Sequence, residues 1–354
     1  MKIAIAGLGN VGRAFGGLLA ERREWLRSEF GTEIKVTAVS DRSGVVINDD
    51  GLDLTPVSVL YQTGRRPPDT SIAFLKETRQ PLTKAGAVAA TPAEAVRLFA
   101  EAGVQAVIET LPSGLETQGE PAITIVTEAL NRGLHVVTAN KAVLLFAGPK
   151  LERLAAGKGV KLAHSGATCA ALPTLSFARR ELIGARIIRI RGILNGTTNN
   201  ILTRMNEDGL SFTDALAEAQ DKGIAEPDPR YDVEGWDSAA KLVILANVLM
   251  NADATLEQVE RKGIDEIPER MIEGARSAGR AIKLIALAHP HGEGVRLSVS
   301  PQAVSPQDQM YSVRHSNKAV EFQTDLYGPL LVAGGASSRA AVAATLLKDV
   351  ISLL

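Results

Sequence analysis

A glycine-rich hexapeptide near the N-terminus constrains the fold more than any other feature of the chain. Gly7 to Gly12 reads GLGNVG, between a short β-prone run from Lys2 to Ala6 and a helical pattern that continues through about Ser28. In a dinucleotide-binding βα turn the first glycine permits the tight turn, the second lets the backbone approach a pyrophosphate, and the third lets helix and strand pack closely. The pattern therefore predicts a dinucleotide site at a helix N-terminus, with a purely structural turn as the alternative.

Short β-rich runs alternate with helical patterns in the first part of the chain. After the first strand and helix, candidate strands are 34–41, 104–110 and 135–140, and candidate helices are 92–102 and 120–131. This alternation predicts an α/β fold with a Rossmann-type doubly wound parallel sheet. Beyond Lys141 longer helical patterns are mixed with β-rich runs, which predicts a second, α+β domain. Residues 51–80, rich in Pro, Thr and Arg, are expected to form an irregular insertion.

Composition narrows the classes of partner. The 354 residues are 45% hydrophobic and 22% charged, and the net charge of −1 lacks the basic excess of nucleic-acid-binding proteins. A single cysteine, Cys169, forms no internal disulfide and no cysteine-based metal cluster, which fits a reducing compartment. Because no apolar stretch approaches the roughly 18 residues of a membrane span, we expect a cytoplasmic protein that binds small molecules but neither nucleic acid nor membranes.

The segment from Ala219 to Lys241 concentrates carboxylates and ends on a lysine. Prolines keep its first part out of helix, whereas WDSAAKLVILANVLM from Trp236 onward reads as an apolar helix. Asp237 and Lys241 then lie four residues apart on one helical face. The pair is either a surface salt bridge worth at most about 1 kcal/mol, or a proton donor tuned by burial and by its carboxylate. The spacing alone leaves both interpretations open.

Polar residues at two strand ends are further candidates. Asp41 stands where an acidic residue would accept hydrogen bonds from an adenosine ribose, which favours NAD, but its neighbour Arg42 would pair with a 2′-phosphate, which favours NADP. A solvated turn explains both residues equally well. Lys141 follows the strand that ends in TAN, at the sheet edge where doubly wound folds bind ligands. For a single lysine, a solvated charge is the simpler explanation.

Four segments together resemble the homoserine dehydrogenases: GLGNVG at 7–12, TANK at 138–141, ILNGTTN at 193–199, and the run from Ala219 to Lys241. The last is the most specific, because it matches the family signature throughout, and the resemblance spans nearly the whole chain. It implies the interconversion of L-aspartate 4-semialdehyde and L-homoserine with NADP or NAD, a step on the route to threonine and methionine.

The resemblance also implies a role for individual residues. Lys241 is expected to be the acid/base lysine, oriented by Asp237, and Lys141 a second catalytic lysine near nicotinamide and substrate. Substrate contacts are expected from Glu226, Asp232, Asp237, Asn195 and Thr198. Cofactor contacts are expected from Gly7, Gly9, Asn10, Val11, Gly12, Asp41, Arg42, Thr110, Ser113, Lys141 and Gly334. An ammonium fits the chemistry, because it donates a proton to the developing alkoxide and stabilises its charge.

Two segments depart from the family pattern. Members commonly carry a glutamate that opens a glycine-rich segment, whose carbonyls hold a monovalent cation, Na⁺ or K⁺. Here the segment reads SGATCAALP, so Ser165 stands where the glutamate is expected, and only the main-chain carbonyls of Thr168, Ala170 and Leu172 would form the site. The glycine-rich turn near the C-terminus is reduced to GGASS at 334–338, so only Gly334 carries over.

The resemblance completes the expected organisation. A dinucleotide-binding domain at 1–140 would be completed by a C-terminal helix at 332–354, and 141–331 would bind substrate and form a homodimer or a higher homo-oligomer. A regulatory domain with threonine feedback is not expected. Two rivals are a dehydrogenase of another small amino aldehyde or amino acid, and a dinucleotide-binding regulatory protein without catalysis. The complete set Glu226, Asp232, Asp237, Lys241 and Lys141 argues against the second rival.

Overall fold

The computed structural model describes residues 1–55, 84–86, 91–335 and 338–354. The chain forms two compact units: unit 1 comprises Met1–Ala167 and Ser338–Leu354, and unit 2 comprises Thr168–Ser337. The strands are β1 (Lys2–Ala6), β2 (Lys35–Asp41), β3 (Gly44–Ile47), β4 (Lys84–Gly86), β5 (Ala106–Glu109), β6 (His135–Thr138), β7 (Leu162–Ala163), β8 (Ile187–Ile193), β9 (Glu260–Arg261), β10 (Ala281–His291), β11 (Gly294–Val304), β12 (Lys318–Thr324) and β13 (Pro329–Gly334). The helices of the described ranges are α1 (Asn10–Glu21), α2 (Arg23–Phe30), α3 (Pro92–Glu101), α4 (Ala122–Asn131), α5 (Lys141–Gly157), α6 (Thr174–Glu181), α7 (Gly196–Asp208), α8 (Phe212–Asp221), α9 (Arg230–Val233), α10 (Trp236–Met250), α11 (Glu269–Ser277) and α12 (Arg339–Ile351).

Unit 1 is built on a seven-stranded sheet with the order β4-β3-β2-β1-β5-β6-β7. The strands β2, β1, β5, β6 and β7 pair in parallel, which confirms the expected doubly wound parallel sheet. The sheet also has an antiparallel extension that the sequence pattern did not indicate. After Asp41 the chain turns back so that Gly44 pairs with Asp41, and β3 then pairs with β4.

Local sequence signals explain where several helices of unit 1 begin. Thr91 and Glu94 form a capping box before α3: each accepts a hydrogen bond from the backbone N–H of the other, and Pro92 takes the first helical position. Asn140 caps α5, because its Oδ1 accepts from the N–H of Ala142 at 3.0 Å. The single helical pattern expected to extend to about Ser28 is two helices, α1 and α2, which meet at Arg22.

The C-terminal helix belongs to the core of unit 1. Leu346 and Val350 of α12 are buried in the same apolar cluster as Ile5, Phe15 and Ile108. The helix begins at Arg339, after Ser338 accepts a hydrogen bond from the N–H of Ala341 at 3.1 Å. Residues 332–334, which we had grouped with this helix, lie instead in β13, because the β-prone sequence PLLVAG pairs with β12.

Unit 1 extends further along the chain than the boundary expected near Lys141. The helix α5 leads into β7, where Ala163 pairs with Val137 of β6. Strand β7 is therefore part of the first sheet, and α5 belongs to unit 1 with it. The chain leaves unit 1 only after Ala167.

Unit 2 is an α+β unit, as expected, with a six-stranded sheet in the order β13-β12-β8-β10-β11-β9. Its strands pair antiparallel except for β11 with β9. A buried apolar cluster of this unit includes Ile193, Ile285, Val304, Met310 and Ala319. Helix α10 is buried over most of its length, from Asp237 to Asn247, which agrees with its nearly uninterrupted apolar sequence.

Two segment-level predictions, the absence of a membrane span and the irregular insertion at 51–80, are compared with the described residues. In the described ranges, none of the helices combines the length and the apolar character needed to cross a membrane. Most of the insertion expected at 51–80 falls on residues 56–80, which lie outside the described ranges.

Candidate active site

The glycine turn of unit 1 uses its three glycines for three different reasons. Gly7 has φ +98°, a left-handed value that side chains disfavour, and its N–H donates to Ser40 O at 2.8 Å. At Gly12 a Cβ would lie 2.2 Å from Gly7 O, so the helix approaches the turn too closely for any side chain. At Gly9 a Cβ would meet nothing within 4 Å, so the backbone at the N-terminus of α1 faces open space.

Thr110 fixes this turn from the neighbouring strand end. Its Oγ1 donates to Gly7 O at 2.5 Å, and its N–H donates to Ala6 O at 2.9 Å. Of the other expected cofactor residues, Asn10 begins α1 and accepts from Arg13 Nη2 at 3.1 Å, Val11 is half-buried and Ser113 is exposed. The free N–H groups and dipole of such a helix N-terminus favour an anion.

Asp41 lies at the carboxyl end of β2, next to β1 and its glycine turn. Its Oδ1 accepts from the N–H of Ser43 at 2.7 Å and from Ser43 Oγ at 2.5 Å. These bonds set the direction of the carboxylate in the turn between β2 and β3. Arg42 is exposed in the same turn.

Glu109 is a buried carboxylate at the end of β5 that the sequence analysis did not single out. Its Oε2 accepts from Thr138 Oγ1 at 2.5 Å, while its Oε1 accepts from the N–H of Leu111 at 2.8 Å and from Asn140 Nδ2 at 3.2 Å. Burial raises its pKa, and these hydrogen bonds oppose the rise. Glu109 thereby orients the TANK segment, in which Lys141 is the first residue of α5 and half-buried.

In unit 2 the structure brings together four of the expected site residues, Asn195, Asp232, Asp237 and Lys241. Lys241 is 9% exposed and Asp237 is 4% exposed, so their pair is not a surface salt bridge. The Lys241 Nζ donates to Asp237 Oδ2 at 2.5 Å and to Leu194 O at 2.8 Å. Helix α10 provides the spacing of the pair, and Gly235, with φ +86°, provides the sharp entry into the helix.

Asn195 links the carboxylates of this cluster. Its Nδ2 donates to Asp232 Oδ1 at 2.7 Å and to Asp237 Oδ2 at 2.8 Å, while its Oδ1 accepts from the N–H of Thr198 at 2.8 Å. The last bond also caps α7. Thr198 is fully buried, and its Oγ1 donates back to Asn195 O at 3.3 Å. Asn195 therefore holds Asp232 and Asp237 at fixed positions beside Lys241.

The environment of the cluster shifts two pKa values. Burial raises the pKa of Asp232, and the Asp237 carboxylate raises it further, whereas Asn195 and Lys241 act in the opposite direction. Burial also raises the pKa of Tyr231, again together with Asp237. Tyr231 carries no motif in the sequence, but the charges of Asp237, Lys241 and Asp232 act on it in the fold.

Other expected site residues lie outside this hydrogen-bond network. The Glu226 side chain is exposed, and its carbonyl accepts from Gln220 Nε2 at 3.1 Å. Gly334 ends β13 with φ +113°, and a Cβ there would meet nothing within 4 Å. Residues 336–337 of the reduced glycine turn lie outside the described ranges.

The segment expected to hold a monovalent cation forms a turn closed by its own hydrogen bonds. The carbonyl of Leu172 accepts from the N–H of Thr174 at 2.8 Å, and the N–H of Leu172 donates to Cys169 O at 3.2 Å. Thr168 and Thr174 join through their hydroxyls at 2.7 Å. Across the described part of the chain, His, Cys, Asp and Glu form no group of three that suits a metal ion.

Lys318 is a second buried lysine near Lys241 that the sequence analysis missed. It begins β12 and is 3% exposed. Burial lowers its pKa. The Lys241 ammonium adds to this effect, whereas Cys169 and Asp237 oppose it. Because these interactions reach Lys318, its ammonium belongs to the same electrostatic environment as the Asp237 and Lys241 pair.

The chain is similar in sequence to proteins of one known family. The model of the homoserine dehydrogenase family matches residues 173–351. A homoserine dehydrogenase of Methanocaldococcus jannaschii is 36% identical over 354 residues, covering 100% of this chain and 98% of the relative. An NAD(+)-dependent homoserine dehydrogenase of Pseudomonas canavaninivorans is 35% identical over 359 residues, covering 99% and 96%.

Solved structures agree in fold over the full length. A putative homoserine dehydrogenase from Archaeoglobus fulgidus superposes with a TM-score of 0.81 at 32% identity, covering 100% of this chain and 99% of the other. A hyperthermophilic archaeal homoserine dehydrogenase in complex with NADPH has a TM-score of 0.77 at 26% identity, covering 99% and 97%. Fold and relatives together define the class as an α/β oxidoreductase. Within that class, the chain belongs to the homoserine dehydrogenase family.

Proposed function

We propose that this protein interconverts L-homoserine and L-aspartate 4-semialdehyde with NAD or NADP, and that Lys241 is the acid/base group. One observation carries the proposal: Lys241 is buried and held by Asp237 Oδ2 at 2.5 Å and by Leu194 O at 2.8 Å. A lysine in an exposed salt bridge would not be fixed in this way, whereas a proton donor must be kept in one position.

The reaction needs two transfers that different groups perform. The nicotinamide, when bound, supplies or accepts a hydride at the substrate carbon. In the reducing direction the Lys241 ammonium donates its proton to the oxygen that becomes the hydroxyl, and in the oxidising direction the neutral amine takes that proton back. Asp237 stabilises the Lys241 ammonium and orients its Nζ. The ammonium in turn stabilises the negative charge that develops on the substrate oxygen.

Substrate recognition is assigned to the carboxylates and amides around Lys241. Both substrates carry an α-ammonium, which Asp232 can bind because it is only partly buried and Asn195 orients its Oδ1. An ammonium beside Asp232 would offset the burial that raises its pKa. Glu226, which is exposed on the segment before α9, is proposed as a further contact, together with Asn195 and Thr198.

The cofactor is assigned to the glycine turn of unit 1. The open space at Gly9 and the N-terminus of α1 fit a pyrophosphate, since a side chain at Gly9 would fill the space that a bound phosphate needs. Thr110, Ser113 and Lys141 follow at neighbouring strand ends, and Gly334 is proposed from unit 2. Asp41 favours NAD and Arg42 favours NADP. Relatives of both kinds support dinucleotide use in general, one NAD(+)-dependent and one bound to NADPH.

Self-association is proposed for unit 2. Ile188 of β8 and the hairpin residues Leu326 and Tyr327 are exposed, as is Ile183, which is 84% exposed. Large apolar side chains of this kind favour contact with a second copy of the chain. Sedimentation of the purified protein would test a homodimer, and a monomer at all concentrations would contradict it.

The proposal is tested by oxidation of L-homoserine, followed at the nicotinamide absorbance with NAD and with NADP separately. Turnover with either cofactor supports the reaction and gives the preference. Replacement of Lys241 by methionine should lower kcat by about 100- to 10,000-fold while the fold persists, because it removes a proton donor and little volume.

A matched control is available in unit 2. Lys222 and Glu218 form an i, i+4 ion pair with the same spacing, but the lysine side chain is 58% exposed. The Lys222→Met change should leave kcat unchanged. Cofactor binding without homoserine turnover would favour a non-catalytic regulatory protein, and near-normal turnover of Lys241→Met would refute the role of Lys241.

A further inference from the structure

The strand pairing of unit 2 brings Lys318 to the carbonyl that holds Lys241. Ala319 pairs with Ile193 in the antiparallel ladder of β12 and β8, so Lys318, one residue earlier, stands opposite Leu194. Leu194 O accepts a hydrogen bond from Lys241 Nζ at 2.8 Å and lies 4.0 Å from Cys169 Sγ. Lys318 is therefore opposite the residue whose carbonyl holds Lys241 and lies near Cys169, in the segment where a monovalent cation was expected.

The other side of Lys318 leads to the same segment. Lys318 pairs with Gly334 in the ladder of β12 and β13. The next residue, Gly335, approaches Leu172 so closely that a Cβ there would lie 2.8 Å from the Leu172 nitrogen. Both strands that flank Lys318 in the sheet thus lead to a residue that contacts the turn at 168–172, namely Leu194 and Gly335.

This turn fits a free cation poorly. Its sequence from Ser165 to Pro173 contains no carboxylate, so the ion would be bound by neutral carbonyl and hydroxyl oxygens without a negative charge from this segment. One of the expected ligands, the carbonyl of Leu172, already accepts from Thr174 at 2.8 Å. A cation in this region would also face the buried ammonium of Lys318 as a like charge.

Lys318 adds a positive charge to the cluster around Lys241. Asp232 and Asp237 contribute two carboxylates, and Lys241 contributes one ammonium. Lys318 supplies the second positive charge. Removing it would leave Asp237 paired with Lys241 and Asp232 bonded to Asn195, but the negative charge of the cluster would be less well offset in a region of low polarity.

We propose that the Lys318 ammonium, a cation fixed to the chain, takes the place of the monovalent cation expected beside the catalytic cluster, so that this homoserine dehydrogenase needs neither Na⁺ nor K⁺. Lys318 is thus a positioning residue, which maintains the charge balance that keeps Asp237 and Lys241 in place. This inference rests on the proposed function for its activity readout, but not for its stability readout.

The wild-type protein and two variants, Lys318→Met and Lys318→Ala, test the inference. Homoserine oxidation and thermal unfolding are measured in NaCl, KCl and tetramethylammonium chloride at one ionic strength. We expect the rate and the melting temperature of the wild type to be the same in all three salts. Without Na⁺ or K⁺, the variants should lose about tenfold or more in rate, since a fixed charge is missing from the site.

Titration with Na⁺ or K⁺ should then restore part of the rate of the variants. It should also raise their melting temperature in a saturable way, because a cation that binds only the folded state stabilises it. Lys283→Met is the matched control. Lys283 is also buried, but it donates to Asn199 Oδ1 at 3.2 Å and to Val313 O, away from the catalytic pair. Its removal should create no response to Na⁺ or K⁺.

Several outcomes would overturn the inference. A wild-type enzyme that requires Na⁺ or K⁺ at constant ionic strength would do so directly. So would variants that match the wild type in both readouts, or variants with a raised KM for homoserine and no cation response, which would make Lys318 a substrate contact. If no form turned over homoserine in any salt, the proposed function would fail, while the melting temperatures would still decide the role of Lys318.

Discussion

The residues of the two candidate sites are distributed along the chain in different ways. In unit 1 the glycine turn consists of the consecutive residues 7–12, and its shape depends on the backbone and on the absence of side chains. In unit 2 the cluster combines Asn195, Asp232, Lys241 and Lys318, which come from four separate segments. Its shape depends on side-chain hydrogen bonds, and its chemistry depends on burial.

The difference shows what each site tolerates. A backbone site is damaged where an added atom meets a neighbour, whatever the charge of the new residue. A side-chain site is damaged by the loss of one hydrogen-bonding or charged partner, even when volume is unchanged. Conservative substitutions should therefore separate the two, since isosteric changes affect the cluster and single methyl groups affect the turn.

After the loss of Lys241 itself, the largest effect is expected from Asp237→Asn, which keeps the size of the side chain but removes the charge that Lys241 Nζ contacts at 2.5 Å. We expect kcat to fall by about 100- to 1,000-fold, because Lys241 loses the carboxylate that holds its Nζ in position. Glu218→Gln, which removes the carboxylate from the exposed pair with Lys222, is the control. Equal rates for the two variants would mean that the buried pair of Asp237 and Lys241 matters no more for turnover than the exposed pair of Glu218 and Lys222.

The turn in unit 1 should respond to a single methyl group. At Gly12 a Cβ would lie 2.2 Å from Gly7 O, whereas at Gly9 it would meet nothing. We expect Gly12→Ala to cost about 1–3 kcal/mol of unfolding free energy or more, because the backbone must move. Gly9→Ala should unfold like the wild type but bind the dinucleotide more weakly. Denaturant unfolding and cofactor titration measure the two effects, and a Gly12→Ala protein as stable as Gly9→Ala would contradict the geometry.

Lys283 tests whether burial of a lysine alone makes a reactive site. Burial lowers its pKa to about 8. Between pH 8 and the usual lysine value of about 10.4, the unfolded chain binds more protons than the folded protein, so stability rises with pH through this window. The contribution of Lys283 is lost as the pH falls through 8. Lys283→Met should remove a slope of at most about 1.4 kcal/mol per pH unit without changing kcat.

Stability of Lys283→Met and wild type, compared by denaturant unfolding from pH 7 to 10.5, measures that slope. Identical slopes would mean that Lys283 is not desolvated. A large loss of kcat would show that the cluster extends to Lys283, and the contrast between this lysine and Lys241 would then fail.

The smallest effect concerns Glu109, the buried carboxylate at the end of β5 that orients the TANK segment. Burial raises its pKa, so its contribution to stability is present below the usual glutamate value of about 4.3 and is lost as the pH rises through its folded-state pKa. Glu109→Gln can keep hydrogen bonds to Leu111 and Thr138, but it carries no charge to bury. Unfolding of both proteins from pH 4 to 8 should show a smaller fall for the variant, and a steeper fall would contradict the burial argument.

Much of the architecture follows from local patterns. The doubly wound sheet, the second α+β unit and the apolar helix from Trp236 were indicated by hydrophobic periodicity. The strands β3 and β4 and the extension of unit 1 through β7 were not indicated, because short strands gain their identity from the neighbour with which they pair. The sequence of β7, only two residues long, carries no periodicity at all.

By itself, the sequence determined which short segments can do chemistry: a glycine turn between a strand and a helix, and a carboxylate four residues before a lysine on an apolar helix. Both signals are local, and the chain conformation they need is set by neighbours in sequence. Only the tertiary structure decided that Asn195 bridges Asp232 and Asp237, that Glu109 orients the TANK segment, and that Lys318 is buried beside Lys241. The physical reason is that these contacts depend on strand register and on burial, and neither is encoded in the spacing of residues along the chain.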